Sequence, residues 1–384
     1  MSVEIRYLTT LRELDAGLWS ERSPFLSKAF WLALEDSGAL SAPQQPWFAQ
    51  HVLLSHDGVQ VACLPLFAKA HHQGEYVFDQ GWADAYMRAG GDYYPRLVTC
   101  VPFTPVIGAR VFLAAGVALN DVLTDLLKGV QALALRLNAS SWHGLFLDDV
   151  QRDAFVQVQQ LPLAERFGVQ FLWENRSYAD FDDFCTHLTT KRRKMVRAEQ
   201  RKVREQAISC AFIEGANIAR DDWAFFYACY AATYQVRGRE PYLSLAFFEQ
   251  LGQTMAHQLV LEVATHESGE RVAAALFFKD AHTLYGRYWG ALYDVSCLHF
   301  EVCYYQGIAY AIAQGLRYFD PGTQGEHKLA RGFAPVFTHS LHWLADAGFM
   351  RAVQDFVARE RHGVSAYLAE CVANLPFKLK DSEP

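Results

Sequence analysis

The sequence predicts an α/β protein of two domains, each with a mixed sheet flanked by helices. The chain has 384 residues, more than one hydrophobic core usually organises, and 51% of them are hydrophobic. In each half, strand-like runs are followed by an amphipathic helix and then by a further strand. We therefore predict domains at residues 1–175 and 176–384. The two halves share little sequence identity, so their common order only suggests an internal duplication.

The elements of the first half follow from local signals. Residues 25–37 predict a helix that ends at Gly38, since glycine commonly follows the last helical turn. Asp57-Gly58 separates two apolar runs, and this pair is a strong hairpin signal. The later elements of this half are a strand at 74–79, a helix at 82–89, a helix at 120–137, and strands at 144–147 and 168–173.

A basic segment opens the second half. Residues 191–204 carry eight Lys or Arg and a single acid, Glu199. Val196 and Val203 give only a thin apolar stripe, so most of this helix is solvated. Two interpretations stay open: an exposed connecting helix, or a contact with an anionic substrate or RNA.

The rest of the second half predicts a sheet with one buried helix. Turn signals divide residues 259–289 into the three strands of a meander. The helix that begins at Leu298 has apolar residues at the spacing of one buried face and stops at Gly315. The other elements are a strand at 208–213, helices at 222–234 and 244–255, and a strand at 316–319.

Composition excludes several classes of protein. The net charge of −7 argues against a nucleic-acid binder that uses its whole surface, and we expect no DNA partner. The eight cysteines form no CxxC pair, which is typical of reduced thiols in a cytoplasmic protein. The first residues do not resemble a secretory signal, and no apolar run approaches the roughly 20 residues of a membrane span.

The region richest in ionisable groups is the loop at residues 318–333. It places Asp320, Glu326, His327, Lys328 and Arg331 among turn-forming glycines and a proline, directly after an apolar strand. Loops at strand ends often carry chemistry, although a solvated turn would look the same. No GxSxG, Walker or Rossmann motif is present, which leaves hydrolase, NTPase and NAD functions unsupported.

The chain resembles the FemAB-like family of peptidoglycan-biosynthesis N-acyltransferases, a branch of the GNAT superfamily. The residues that carry the resemblance are Gly74–Asp79 with Trp82-Ala83, Val101–Pro105, Tyr288–Gly290, Leu298–Glu301 with Cys303–Gln306, and Pro321–Phe333. The resemblance implies two tandem GNAT-like domains. It also implies transfer of an acyl or aminoacyl group to a small-molecule or peptide amine in bacterial cell-wall precursor metabolism.

The acyl donor stays open between acyl-CoA and aminoacyl-tRNA, and no permanently bound cofactor is expected. The glycine-rich turn by which GNAT enzymes bind CoA is replaced by residues 291–297, which contain no glycine. Fem relatives carry a lysine just before a Gly-Phe pair, where this chain has Arg331 before Gly332-Phe333 and Lys328 nearby. The basic segment 191–204 is the candidate contact for transfer RNA.

Acyl transfer to an amine needs a proton acceptor and positive charge at the developing oxyanion. Glu326 or His327 is a candidate base, and Lys328 or Arg331 a candidate stabiliser, unless these charges merely pair with one another to hold the loop. Glu301 is a further candidate base at the edge of the buried helix, or else an N-terminal capping acid.

Other residues are candidates for binding the substrate. They are Arg287, Tyr288 and Trp289 at the end of a strand, His299 and Tyr305 near the start of the buried helix, Arg237, Arg239 and Tyr242 in a charged turn, and Glu75, Asp79 and Trp82 in the first half. His339 with His342, and His71 with His72, lack neighbouring acid or cysteine ligands, so we expect no metal.

The hypothesis is therefore an N-acyl or aminoacyl transferase. The alternative is a non-catalytic module of the same fold that binds a glycan, a peptide or a lipid-linked precursor. The charges of the 326–331 loop distinguish the two. Charges that line a pocket reaching both domains favour the enzyme, and charges that pair among themselves on the surface favour the binder.

Overall fold

The computed structural model of the protein describes residues 2–43, 46–323 and 325–378, and their contacts divide them into two compact units. Within these residues, unit 1 comprises 2–21, 25–169 and 337–366, whereas unit 2 comprises 22–24, 170–336 and 367–378. The predicted division between residues 175 and 176 differs from these units, because residues 337–366 return to unit 1.

The strands are β1 (Val3–Leu8), β2 (Phe48–Ala49), β3 (His51–His56), β4 (Val59–Leu64), β5 (Phe67–Lys69), β6 (Arg96–Thr99), β7 (Phe112–Leu113), β8 (Ser141–Leu147), β9 (Ala164–Glu174), β10 (Ile208–Glu214), β11 (Leu259–His266), β12 (Arg271–Lys279), β13 (Thr283–Ala291), β14 (Tyr318–Asp320) and β15 (Ala334–Leu344).

The helices are α1 (Lys28–Asp36), α2 (Gln80–Arg88), α3 (Leu119–Leu137), α4 (Asp149–Val158), α5 (Phe181–His187), α6 (Thr190–Glu205), α7 (Arg220–Gln235), α8 (Leu245–Thr254), α9 (Leu298–Phe300), α10 (Gly307–Ala313) and α11 (Ala347–Ala373). Residues Glu301–Gln306 join α9 to α10 as a π-helical segment. A short 3₁₀ helix, Glu326–Arg331, lies between β14 and β15.

Unit 1 contains the predicted hairpin. Asp57 and Gly58 both have positive φ, 49° and 82°, as a tight turn between two twisted strands requires, and they join β3 to β4. The apolar face of α3 packs on this hairpin, with residues such as Leu126 and Leu133 fully buried. The helix predicted at 120–137 is confirmed to within one residue.

The strand predicted at residues 74–79 is wrong, because this segment forms an irregular loop around buried charges. Gly74 and Tyr76 have positive φ, which interrupts an extended strand. The Glu75 carboxylate lies 2.7 Å from both Lys69 Nζ and Arg96 Nη2, and Asp79 lies 2.8 Å from Arg96 Nη1. The pairing of these two acids with Lys69 and Arg96 holds the segment in this irregular conformation.

Two buried histidines meet where β8 pairs with β15. His143 and His342 are register partners, and their Nδ1 atoms lie 2.7 Å apart, so one ring donates to the other. Burial lowers the pKa of each imidazole well below its ordinary value, and the nearby Arg96 and Arg166 guanidinium groups act in the same direction. The pair is therefore neutral at neutral pH.

We expect the stability of unit 1 to fall as the pH drops below about 6.5. In that range the two histidines bind protons in the unfolded chain but not in the folded one. Each of them therefore lowers the free energy of unfolding by up to about 1.4 kcal/mol per pH unit. Urea unfolding of the wild type and of His143→Gln/His342→Gln across this range measures the effect. The dependence of the unfolding free energy on pH should be weaker in the double variant. It should be unchanged in His362→Gln, an exposed control in the same unit. The same pH dependence of the unfolding free energy in all three proteins would contradict the expectation.

Unit 2 has the predicted meander followed by a helix and a strand. Strands β10, β11, β12 and β13 are successively antiparallel, and β14 then pairs parallel to β13. The continuous helical run Leu298–Ala313 connects these two parallel strands. Its apolar face, including Val302 and Ile308, is fully buried in the unit 2 core. The order β-β-β-α-β read from the sequence is thus present.

Candidate active site

A pocket forms in unit 2 where β13 and β14 part. The parallel pairing of these strands ends at Tyr285 and Asp320, while β13 continues to Ala291. An irregularity in the β12–β13 pairing leaves Arg287 as an extra residue on β13, a bulge that bends the strand at this point. The cavity at the opening has a volume of about 460 Å³.

The lining of this pocket is positively charged and aromatic. It includes three cationic side chains and two imidazoles but no carboxylate, among the residues that the structure describes. The residues are Arg237, Ala275, Leu276, Phe277, Gly286, Arg287, Tyr288, Trp289, His299, Cys303, Tyr304, Pro321, Thr323, Gly325, His327 and Lys328. Such a surface favours an anionic or strongly polar ligand.

Lys328 is buried beneath the loop that precedes it. Its Nζ donates to the carbonyl oxygens of Gly322 and Thr323, at 2.6 and 3.2 Å. Burial lowers the pKa of its ammonium to about 8, against the opposing effect of the Asp320 charge. Lys328 therefore fixes the 321–323 wall of the pocket and brings a positive charge to it.

Arg287 is held by the end of β14. Its Nη2 donates to Asp320 Oδ2 at 2.6 Å, and its Nη1 donates to the Gly286 carbonyl oxygen at 2.9 Å. Asp320 also accepts from the Gly322 N–H at 2.8 Å. This arrangement fixes the guanidinium at the base of the opening between the two strands.

Two histidines face the pocket in their neutral form. Burial lowers the pKa of His299 to about 4, and the nearby His327, Lys328 and Arg331 add to the effect. The His327 pKa is lowered as well, chiefly by burial, and its Nε2 lies 2.9 Å from the Tyr304 hydroxyl. The described residues provide no hydrogen bond to the ring of His299, which packs edge-on against Trp289. Its nitrogens are thus available to a ligand.

Arg331 does not line the pocket but holds the 3₁₀ helix that carries His327 and Lys328. Its guanidinium donates to both oxygens of Glu199, at 2.6 and 3.2 Å, and to the His327 carbonyl oxygen at 2.7 Å. It also lies over the face of Phe300. Arg331 is a positioning residue, and its partner Glu199 comes from α6.

The structure brings seven of the predicted site residues together. Arg237, Arg287, Tyr288, Trp289, His299, His327 and Lys328 all line the pocket. Three further predicted residues are not part of the pocket lining. Glu301 is buried, and the Tyr305 hydroxyl is hydrogen-bonded to Glu199 and Arg331. Arg331 pairs with Glu199 as described above.

The remaining predicted site residues lie elsewhere. Glu326 is exposed and accepts a 3.2 Å hydrogen bond from the Tyr367 hydroxyl, so it does not face the pocket as a base. Arg239 is exposed, and Tyr242 packs against Tyr234. Glu75, Asp79 and Trp82 belong to unit 1, where the acids are paired and Trp82 packs on His342. The structure gives these three residues packing and pairing roles.

Sequence reasoning missed Glu199, Cys303 and Tyr304. Glu199 is the one acid between residues 191 and 204, a signal that could have marked it as the partner of a buried cation. Cys303 and Tyr304 line the pocket from the π-helical segment, in which side chains are offset from their α-helical positions. Helical periodicity at 3.6 residues does not reveal such a shift.

The basic helix α6 has a cationic outer face. Arg193, Lys194, Arg197 and Arg201 surround Ala198 in a shallow surface depression. Arg197 pairs with Asp182 at 2.6 Å, while Glu199 points inward to Arg331. The exposed side of the helix thus presents positive charge.

Among the described residues, no group of three or more His, Cys, Asp or Glu is arranged to hold a metal ion. Over the same residues, no helix has the length and apolarity needed to cross a membrane.

The chain is similar in sequence to one protein family and in structure to several proteins. Residues 10–379 match the FemAB-like family model, described as peptidoglycan biosynthesis/recognition. No curated protein sequence matches. The structure of FemX aligns with a TM-score of 0.53 at 12% identity, covering 91% of this chain and 100% of FemX.

Two other structures align with the chain at lower scores. L-PGS from Bacillus licheniformis aligns with a TM-score of 0.49 at 12% identity, covering 88% of this chain and 98% of that one. A tandem GNAT protein from the clavulanic acid biosynthesis pathway gives 0.42 at 11% identity, with 90% and 99% covered. The likeness to FemX extends to the fold alone, and the predicted α/β fold is confirmed.

Proposed function

The chain belongs to the FemAB-like family, and from this membership we propose that it transfers an acyl or aminoacyl group to an amine in the unit 2 pocket. The observation that carries the proposal is the opening between β13 and β14, lined by neutral imidazoles and by buried cations. Amide formation requires both an acceptor for the amine N–H and positive charge near the carbonyl oxygen. This pocket offers the two together.

The pocket residues have distinct roles in this proposal. His299 accepts a hydrogen bond from the amine, because its ring is neutral and lacks a partner among the described residues. Lys328 and Arg287 supply positive potential where the tetrahedral oxyanion develops. Trp289 and Tyr304 flank the imidazole and keep water away from it.

An aminoacyl ester suits this chain better as the donor than acyl-CoA. The N–H groups of Leu298 and Phe300 donate to the carbonyl oxygens of Val295 and Cys297, so they are occupied where a GNAT enzyme would bind diphosphate. The cationic face of α6 provides a surface for transfer RNA, whose phosphates would pair with Arg193, Lys194 and Arg201.

The test is a transfer assay with matched variants. The protein is incubated with acetyl-CoA or with aminoacyl-tRNA, each with a peptide that bears a free lysine or glycine amine, and the amide product is measured by mass spectrometry. We expect product with aminoacyl-tRNA, with the rate falling steeply as salt is raised. The absence of product with every donor, together with retained binding of the peptide, would move the assignment to a non-catalytic binder.

We expect His299→Ala to lower kcat about tenfold, since one hydrogen bond between neutral groups contributes about 1–1.5 kcal/mol. His257→Ala, at an exposed position of the same unit, should leave kcat unchanged. Equal rates for the two variants would remove His299 from the mechanism.

A further inference from the structure

The turn that follows α7 brings an arginine to the unit 2 pocket. Helix α7 packs on β13, where the ring centroids of Tyr230 and Tyr288 lie 5.6 Å apart. After the helix the chain turns back on itself, and the Arg237 N–H donates to the Tyr234 carbonyl oxygen at 2.8 Å. The backbone of Arg237 is thus held by the end of α7, and its side chain lines the pocket.

The guanidinium of Arg237 has no ion pair or hydrogen bond with the described residues, and the residue is exposed. The other two cations of the described lining are bonded within the protein. Arg287 pairs with Asp320, and Lys328 donates to carbonyl oxygens of the 321–323 wall. Among the described lining residues, Arg237 is therefore the cation without a protein partner.

The charge of the pocket restricts the molecules that it can bind. Its described lining has three cationic side chains and no carboxylate, and Asp320, the acid paired with Arg287, offsets one of the three charges. Such a place repels a simple alkylammonium ion, because like charges raise the free energy of the complex. A carboxylate on the same molecule as the amine removes this repulsion. The pocket therefore favours an amine that also carries an anionic group.

This anionic group belongs to the acceptor of the transfer. The aminoacyl group of an aminoacyl ester is itself cationic, and the phosphates of a transfer RNA have a separate surface on the cationic face of α6. Amino acids and short peptides, in contrast, have a carboxylate a few bonds away from their amine. The cavity of about 460 Å³ is within the range of small-molecule sites, so it has room for a ligand of this size.

We propose that Arg237 forms an anion subsite of the pocket, which binds the carboxylate of an amino acid or short peptide whose amine is the acceptor. This substrate class rests on the proposed function. The planar guanidinium fits a carboxylate, to which it donates two parallel N–H···O hydrogen bonds. Arg237 makes this contact away from the reacting atoms, so it determines which acceptor binds and takes no part in bond formation.

Peptide binding in the absence of any acyl donor tests the subsite. The probes are glycyl-lysine and glycyl-lysinamide, which differ in the terminal carboxylate, and their Kd values are measured by NMR titration at low salt. We expect the wild type to bind glycyl-lysine about tenfold more tightly, because a hydrogen bond to a charged group contributes at least this factor. In Arg237→Gln, which removes an exposed side chain without a protein partner among the described residues, the two peptides should bind equally.

Arg239→Gln is the matched control, because Arg239 is exposed in the same turn but is not among the described lining residues. It should keep the tenfold preference, and Arg237→Lys, which loses the planar fork, should keep part of it. A wild type that bound neither peptide or both alike would overturn the proposal, as would a preference that persisted in Arg237→Gln. If inorganic phosphate bound through Arg237 while the two peptides bound alike, the subsite would hold a phosphate of the donor, and the proposal would be wrong.

Transfer kinetics separate the subsite from the proposed function. With saturating donor, Arg237→Gln should raise the KM for glycyl-lysine about tenfold and leave kcat unchanged, because the contact is made equally in the ground state and the transition state. The KM for glycyl-lysinamide should not change. A wild type that prefers glycyl-lysine in binding but forms no amide with any donor would reject the transferase and retain the subsite. Transfer to both peptides with equal KM would retain the transferase and reject the subsite.

Discussion

Replacing Arg331 with alanine is expected to lower the free energy of unfolding of unit 2 by about 3 kcal/mol. The substitution leaves Glu199 without its cation in a largely buried place, where the Glu199 and Arg331 side chains are only 15% and 5% exposed. It also removes the donor to the His327 carbonyl oxygen, which tethers the 3₁₀ helix. Urea unfolding followed by tryptophan fluorescence measures the loss.

A matched pair of variants separates this effect from general charge loss. Arg201→Ala removes an arginine whose pair with Glu205 is exposed, and it should change the free energy of unfolding by less than about 1 kcal/mol. In the double variant Arg331→Met/Glu199→Met, most of the lost stability should return, because no unpaired charge remains buried. If Arg331→Ala lowered the free energy of unfolding as little as Arg201→Ala, the pair of Arg331 and Glu199 would not be what holds the loop.

Replacing Lys328 with methionine is expected to lower kcat of the proposed transfer by about 10²–10³-fold. Methionine has a similar length, but it provides neither the positive charge at the pocket nor the donors to the carbonyl oxygens of Gly322 and Thr323. The oxyanion loses its stabilisation, and the 321–323 wall loses its anchor. The measurement is kcat under saturating donor and acceptor.

The contrasting variant for this prediction is Lys378→Met, at an exposed position of the same unit, which should leave kcat unchanged at saturation. Lys328→Arg keeps the charge but not the geometry, so its kcat should lie between those of the wild type and of Lys328→Met. If Lys328→Met kept wild-type activity, the role of Lys328 would be confined to the loop.

Local sequence signals were sufficient to predict several helices and strands. The Asp57-Gly58 hairpin, the helix near 120–137 and the meander of β11, β12 and β13 all depend on turn chemistry or on simple periodicity. The segment 74–79 has the apolar alternation of a strand, but it forms a loop because its acids must reach Lys69 and Arg96. A long-range charge pair is not visible in a local pattern.

The candidate site, too, was only partly predictable from local sequence patterns. A loop crowded with ionisable residues and a strand ending in Arg287, Tyr288 and Trp289 indicated the pocket, and most of its polar lining came from these two segments. The assignment of Arg331 as a pocket residue differs from the structure, because the pairing of Arg331 with Glu199 joins residues 132 positions apart.

Most of the helices and strands, their order and the loop that bears the charges follow from local sequence patterns, because turns and periodic apolar faces are properties of neighbouring residues. The tertiary fold sets which charges face the pocket and which ones pair behind it, and it returns residues 337–366 to unit 1. These outcomes depend on distances between residues far apart in the chain and on the free energy of burying a charge, which is fixed only when every neighbour is in place.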